Sequence, residues 1–158
     1  MTIDYSASMR EHAWHYFELH ANQRIAVFNF FLLTSGAIAA GLATTLQGTP
    51  RFASLGIALG ALLILVSFIF WKLDQRASFL IKHAENALAE TEQEFSAKEA
   101  CLFLFEPKAT KSASDQATWW SRHWTYGKAF RFVFGVMGLF GAAGAGVSLA
   151  RFAGWLVW

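Results

Sequence analysis

Long apolar runs without a formal charge set the pattern of this chain. Residues 25–46, 52–71 and 132–150 contain no Asp, Glu, Lys or Arg. Because an α-helix rises about 1.5 Å per residue, roughly 20 apolar residues cross the ~30 Å hydrocarbon core of a bilayer. The pattern therefore predicts an all-α integral membrane protein with three transmembrane helices.

The first two predicted spans are separated by a short break in the apolar pattern. Gln47-Gly48-Thr49-Pro50-Arg51 contains the Gly and Pro that end helices. A linker this short holds its two helices side by side and antiparallel. We therefore expect residues 25–71 to form a transmembrane hairpin, with spans at 25–46 and 52–71.

The second span is predicted to continue out of the membrane as a helical stalk. Residues 71–97 contain no Gly or Pro and are rich in Ala, Leu, Glu and Lys, which favour a helix. Apolar positions spaced four and three residues apart form a seam along it: Leu73, Ala77, Leu80, Ala84, Ala87 and Thr91. This seam can pack against the N-terminal segment of the same chain or against the same helix in another subunit.

Residues 1–24 are predicted to form an amphipathic cytoplasmic helix. One face carries Trp14, Phe17 and Ala21. This face would lie on the inner leaflet or pack on the stalk, before the chain turns into the first span. The segment also contains His12, His15 and His20. Histidines can titrate near neutral pH, and a metal site would lack a third ligand here, so we predict no metal.

The region 72–128 is predicted to hold the stalk, a loop and a Trp-rich interfacial helix. The apolar cluster 102–105 is too short to span a bilayer, so it should pack on the stalk or dip into the interface. Cys101, beside this cluster, is expected to be a packed thiol. The interfacial aromatic residues are Trp119, Trp120 and Trp124.

The third span, within the predicted region 129–158, is rich in glycine. Gly135, Gly138, Gly141 and Gly144 recur every three residues. Small residues let helix backbones approach closely, and this close packing drives helix association in lipid. The glycines can serve packing within the chain, or they can form a subunit interface or a flexible wall.

Polar side chains inside the spans are few, and Asn29 is the costliest of them to bury. It should find a partner across a helix interface or face a water-filled lumen. Thr34 and Ser35 lie in the same span. We therefore predict these three residues, with the four glycines of the third span, to be pore or helix-packing residues.

The basic residues near the span ends predict the orientation of the chain. Eight of them fall on one side: Arg10, Arg24, Lys72, Arg76, Lys82, Arg122, Lys128 and Arg131. Only Arg51 and Arg151 fall on the other side, where Arg151 is expected to snorkel outward. The positive-inside rule then places the N-terminus in the cytoplasm and the C-terminus outside a bacterial cytoplasmic membrane.

Charge and motifs narrow the classes of function. The net charge of +2 is too small to argue for binding nucleic acid. The sequence has no phosphate-binding glycine loop, no His-Glu-x-x-His and no Gly-x-Ser-x-Gly motif. We therefore expect a protein that is not an enzyme and that uses no cofactor, with the lipid bilayer and copies of itself as partners.

Several short segments resemble the RipA family of small oligomeric bacterial membrane proteins. They are residues 20–24, 28–31, 70–76, 80–82 and 85–88. The chain also resembles SLATT-type membrane effectors associated with nucleotide-signalling antiphage systems. The resemblance implies a homo-oligomer in the cytoplasmic membrane, with Arg24, Asn29, Asp74, Arg76 and Glu85 holding the assembly.

Two hypotheses of function follow. The first is a pore-forming or membrane-disrupting effector of an antiphage system, triggered by a cytoplasmic sensor or regulatory protein. The second is a constitutive oligomeric membrane scaffold or partner subunit without pore activity. In both, the residues expected to make oligomer or stalk contacts are Arg24, Leu73, Asp74, Arg76, Leu80, Ala84 and Glu85.

Overall fold

The computed structural model describes residues 5–93, 101–105, 112 and 125–156. Within this part of the chain the long elements are all helices: α1 (Tyr5–Gln47), α2 (Ala53–Glu92) and α3 (Tyr126–Phe152), with a 3₁₀ turn at Pro50–Phe52. Each of the three helices is long and apolar enough to cross a membrane. The predicted all-α architecture with three transmembrane helices is confirmed.

The chain divides into two compact units. The membrane unit comprises Ile25–Gln75 and Gly127–Trp158. The stalk unit comprises Met1–Arg24 and Arg76–Tyr126. Helix α2 runs without a break to Glu92, as predicted for the stalk. Helix α1 is also continuous through Arg24, so the expected turn before the first span is absent.

Aromatic side chains fill the core of the membrane unit. Phe31 and Phe134 are buried, and their ring centroids are 4.6 Å apart. Phe28 stacks on Phe130 at 3.9 Å, while Phe31 also contacts Phe70 at 5.4 Å. Residue numbers on α1 and α3 rise together in these contacts. Numbers on α2 fall as those on α1 rise, because Phe31 contacts Phe70 whereas Thr45 lies against the Cβ position of Gly56. Helices α1 and α3 are therefore parallel, and α2 is antiparallel to both.

Glycines let α2 and α3 approach within the distance that a side chain would occupy. A Cβ atom at Gly60 would lie 2.7 Å from the carbonyl oxygen of Gly141, and one at Gly141 would lie 2.9 Å from that of Gly60. A Cβ atom at Gly144 would clash with Leu42 of α1. These members of the glycine ladder serve packing within the chain, which is the first of the two predicted roles.

The other two glycines of the ladder make no such close approach, and only Gly135 faces away from the other helices. A Cβ atom at Gly138 would only touch Ser67, at 3.6 Å, an ordinary contact distance. A Cβ atom at Gly135 would meet no described atom within 4 Å. The three-residue repeat therefore divides between the inside and the outside of the membrane unit, because three residues turn a helix by less than a full circle.

The stalk unit is held by an apolar cluster that joins α1, α2 and residues 101–105. Phe103 contacts the rings of Trp14 and Phe17, with centroids 6.3 and 5.5 Å away. The backbone N–H of Leu104 donates to Glu92 Oε2 at 2.9 Å, and buried Cys101 is a free thiol. The predicted packing of this cluster on the stalk is confirmed. The predicted Trp-rich helix (Trp119, Trp120 and Trp124) lies outside the described residues.

The buried face of the stalk helix is displaced by one residue from the predicted seam. Ile81, Ala84 and Leu88 are buried. Leu80 is half-buried, and Leu73 is 46% exposed. Both rows satisfy the same four-and-three spacing and share Ala84, so helical periodicity could not choose between them. The elements packed against α2 decide which row is buried.

Arg151 corrects a second expectation, because it does not snorkel outward. Its side chain is buried at the last turn of α3. The guanidinium donates to the carbonyl oxygens of Leu46 and Gly48 at 2.7 Å each and to that of Thr45 at 3.3 Å. The last carbonyls of a helix have no acceptor role within it, so Arg151 caps the C-terminus of α1.

Replacing this cap should destabilise the membrane unit. We expect Arg151→Met to lower the free energy of unfolding by about 3 kcal/mol, because buried carbonyls would lose a charged donor. Arg51→Met is the matched control, since Arg51 is exposed in the neighbouring turn, and it should change stability little. Unfolding in mixed detergent micelles, followed by circular dichroism, measures both. Equal stabilities for the two variants would contradict the capping role.

Candidate functional site

Most hydroxyl groups in the first span are satisfied by their own helix. Ser35 Oγ donates to the carbonyl of Leu32 at 3.4 Å, and Thr45 Oγ1 donates to that of Leu42 at 2.7 Å. Thr44 Oγ1 lies 2.7 Å from the carbonyl oxygen of Ala40. Such backbone bonds remove most of the cost of a hydroxyl in lipid. These residues therefore need no external partner.

Asn29 is different, because its carboxamide makes no hydrogen bond to any residue that the structure describes. It is exposed on the outer surface of the membrane unit, near the start of the uncharged run 25–46. Placing an amide without hydrogen-bond partners in hydrocarbon costs on the order of several kcal/mol of free energy. Membrane proteins therefore give such a group a hydrogen bond to another side chain or to water. Asn29 therefore indicates a surface that does not face lipid.

Asn29 belongs to a continuous stripe of residues that we call the α1 stripe, in which Leu33 is the one large side chain among small and polar ones. Its members recur every three or four residues, and all are exposed: Ala26, Asn29, Leu33, Gly36, Ala40, Thr44 and Gln47. The stripe lies on the side of α1 opposite to buried Phe31, Ser35 and Leu42. The outer face of α2, by contrast, carries large aliphatic side chains: Leu55, Leu62, Leu65 and Ile69.

An ion pair joins α2 to the beginning of α3. Asp74 is buried, and its Oδ2 accepts a hydrogen bond from Arg131 Nε at 3.3 Å. The Arg131 side chain remains 42% exposed. The sequence singled out Asp74, and the structure supplies Arg131 as a partner from the same chain. The predicted pairing of Asp74 or Arg76 across subunits stays a prediction, and Arg76 is exposed.

The remaining predicted site residues do not form one cluster. Thr34 is exposed on α1, while Arg24 and Glu85 are half-buried in the stalk unit. The stalk unit contains an open groove of about 710 Å³. It is lined by Ala7, Arg10, Glu11, Trp14, Leu88, Thr91, Glu92 and Phe103. Both signs of charge and an aromatic ring line this groove, which fits a protein or peptide partner better than a purely anionic ligand.

The N-terminal histidines lie near side chains of their own helix. His15 has Glu11 and Glu18 at 3.8 and 4.0 Å, and His20 Nδ1 lies 3.1 Å from Gln23 Oε1. Within the described ranges, no three His, Cys, Asp or Glu side chains converge on a point that could hold a metal ion. Within the described part of the chain, His15 and His20 therefore contact side chains of their own helix.

Comparison with known proteins identifies the family. Residues 9–150 match the octameric membrane protein family (8xMP). The chain belongs to the octameric membrane protein family. CD-NTase-associated protein 19 of Escherichia coli is 44% identical over 131 residues, which cover 83% of this chain and 84% of that protein. No solved structure matches the chain.

Membership of the octameric family confirms two expectations. The protein is a membrane protein, and it associates with copies of itself. The resemblance to a family of small oligomeric membrane proteins is thus confirmed at that level, while the narrower likeness to RipA and SLATT proteins stays a prediction. The orientation of the termini also stays a prediction.

Sequence reasoning missed the glycines of the second span and the roles of two arginines. Gly56 and Gly60 supply the α2 side of the contact with α3. Their spacing of four residues is a small-xxx-small pattern that could have pointed to this role. The sequence near Arg131 and Arg151 gave no indication of their hydrogen-bond acceptors. Each acceptor lies between 57 and 106 residues away along the chain.

Removing the cation of the ion pair should destabilise this member of the octameric family. We expect Arg131→Met to lower the free energy of unfolding by about 2 kcal/mol, because it deprives a buried carboxylate of a cationic partner. This loss of stability is smaller than that expected for a fully buried ion pair, because the Arg131 side chain is partly exposed to solvent. Lys128→Met, at an exposed position one turn earlier in α3, is the control. The free energies of unfolding of both variants are measured in mixed detergent micelles. Equal values would show that the ion pair contributes little to stability.

Proposed function

We propose that this protein is an octameric effector of the bacterial cytoplasmic membrane that permeabilises the membrane when an antiphage system activates it. The family supports an assembly of eight copies. The relative named CD-NTase-associated protein 19 supports a link to a CD-NTase, the enzyme its name mentions. The resemblance to SLATT-type effectors points to the same nucleotide-signalling context.

The observation that carries this proposal is the unpaired carboxamide of Asn29 on the outer face of the membrane unit. A purely structural anchor gains nothing from a polar group that faces lipid. In a ring of subunits the same group lies against a neighbouring subunit or beside a water-filled opening. Both positions couple Asn29 to assembly, and a permeability path through a membrane requires polar groups along its wall.

The stalk unit supplies a surface on which an activating partner can act. Its groove lies between the first turns of α1 and the end of α2, and it is lined by Arg10, Glu11 and Glu92 among others. Under the proposed orientation the groove lies in the cytoplasm, where a sensor or regulatory protein would be found. Because α1 and α2 both continue into the membrane unit, binding there can bias the arrangement of the spans.

Expression in a bacterial host with a membrane-potential dye tests the proposed function. We expect the activated wild-type protein to depolarise the cells and Asn29→Leu to abolish the effect, because Leu removes the only carboxamide in the span 25–46. Thr45→Val is the matched control, since the Thr45 hydroxyl is bonded within its own helix and lies outside the α1 stripe, and it should retain activity.

The wild-type result also separates the proposal from its alternative. A stable octamer that never changes membrane potential or growth, even with its co-expressed CD-NTase system activated, would contradict the effector function. Such a protein would be a constitutive scaffold. Equal activity of Asn29→Leu and the wild-type protein would contradict the role of Asn29, on which the proposal depends.

A further inference from the structure

We infer that neighbouring subunits meet through the α1 stripe of one protomer and the outer face of α3 in the next, with Leu33 seated on Gly135 and Leu139 seated on Gly36. The inference rests on the octameric assembly of the proposed function and deepens it by naming the contact. The occupant of the α1 stripe is thus a second copy of this chain.

Symmetry limits how copies of a membrane protein can assemble. Subunits that share one orientation in one bilayer are related by an axis along the membrane normal, because an in-plane two-fold axis would invert every other copy. A closed ring about such an axis uses a heterologous interface, in which two different faces of each protomer meet. Rotation about the membrane normal also leaves every residue at its own depth in the membrane.

Contacts within one chain reveal which residues of α1 and α3 share a depth. The two helices are parallel, and Phe28 contacts Phe130 while Phe31 contacts Phe134. Further along, the site of a Cβ on Gly144 lies against Leu42. Each pair is 102 or 103 residues apart, so the offset is constant over the span. The same offset relates α1 of one protomer to α3 of the next.

Applied to the two outer faces, this offset pairs large residues with glycines. One row on the outer face of α3, here called the α3 stripe, consists of Gly135, Leu139, Ala142, Gly146 and Leu149; Phe132, Val136 and Phe140 are exposed beside it. Leu33 falls opposite Gly135, and Gly36 falls opposite Leu139. Further out, Ala40 falls opposite Ala142 and Thr44 opposite Gly146.

Exposure shows that these side chains and glycines have room to interlock. Leu33 is 72% exposed and Leu139 is 73% exposed, the highest values for large apolar residues within the three apolar runs. A Cβ atom at Gly36 or at Gly135 would meet no described atom within 4 Å. The Gly146 position is equally open. Each protruding leucine therefore faces an open glycine at its own depth, and such interlocking packs helices closely in lipid.

The outer face of α2 does not offer a comparable surface. Its exposed residues are mostly large and apolar along the span (Leu55, Leu62, Leu65, Phe68 and Ile69), with Ser54, Ala58 and Ala61 between them and no exposed glycine. The glycines of this helix, Gly56 and Gly60, are both buried against other parts of the same chain. A face of this composition suits contact with lipid chains, so α1 and α3 are left to form the ring.

The same offset gives Asn29 a hydrogen-bonding partner. The residue of α3 at its depth is Arg131, and Asp74 uses only the Nε atom of that guanidinium among the described contacts. The two terminal nitrogens of Arg131 of the partner subunit can therefore donate to Asn29 Oδ1. The polar group of the α1 stripe is satisfied by the assembly, which explains why no residue of its own subunit bonds it.

Disulfide cross-linking in membranes tests this contact directly. In a Cys101→Ser background, Gly36→Cys combined with Leu139→Cys should give a ladder of covalent oligomers after oxidation with copper phenanthroline. Each single cysteine variant should stay monomeric on a denaturing gel, because the interface joins unlike faces. Gly36→Cys with Gly146→Cys is the depth control, since a shift of seven residues separates the thiols by about 10 Å.

The outcomes separate the contact from the proposed function. A ladder from the matched pair alone supports the contact. Dimers from Gly36→Cys by itself would show α1 meeting α1 and would overturn it. An intact octamer by light scattering in mild detergent with no ladder would overturn the contact while leaving the proposed function standing. A monomer in mild detergent would overturn both.

A size exchange provides an independent test of the interlocking leucine and glycine. We expect Gly36→Leu to weaken association by roughly tenfold or more, because the added side chain overpacks the contact with Leu139 of the next protomer. Adding Leu139→Ala should restore much of the loss, because it opens the opposing position. Ala58→Leu, at an exposed position of α2, is the control and should leave the octamer intact. Additive effects of Gly36→Leu and Leu139→Ala would contradict their contact.

Discussion

Helices α2 and α3 approach each other so closely at Gly60 and Gly141 that neither position has room for a side chain. Lipid offers no hydrophobic driving force between helices, so this close backbone contact and the packing around it hold the membrane unit together. Once the two helices are joined there, the rotation of each about its axis is fixed. The residues that face outward are a consequence of that rotation.

Two arginines hold α3 at its ends while glycines hold it in the middle. Arg131 pairs with Asp74 of α2 at one end, and Arg151 caps α1 at the other. Both bonds are directional and charged, so they fix the register of α3 in a way that apolar packing alone does not. The constant offset between α1 and α3 along the span follows from this register, and it is what allows depths to be compared between subunits.

The outward surfaces connect this fold to the family and to the proposed function. A chain of the octameric membrane protein family must present unlike faces to its neighbours if its ring is to close. The α1 and α3 stripes are unlike in chemistry and matched in depth, whereas the outer face of α2 exposes mostly large apolar side chains and no glycine. Asn29 lies on the first of these surfaces, which places the polar group of the span where subunits meet and where a change in assembly would act.

The sequence by itself determined the number of spans, the hairpin and the unbroken stalk helix, because length, apolarity and helix propensity act locally along the chain. It also marked Asn29, since an amide in an apolar run is costly wherever it lies. Only the tertiary structure decided which row of the stalk helix is buried within the chain, namely Ile81, Ala84 and Leu88, while contact of the predicted seam with another subunit stays a prediction. It alone divided the glycine ladder between inside and outside and gave Arg151 its carbonyl acceptors. These choices depend on contacts between residues far apart in sequence, and periodicity on one helix carries no information about its neighbours.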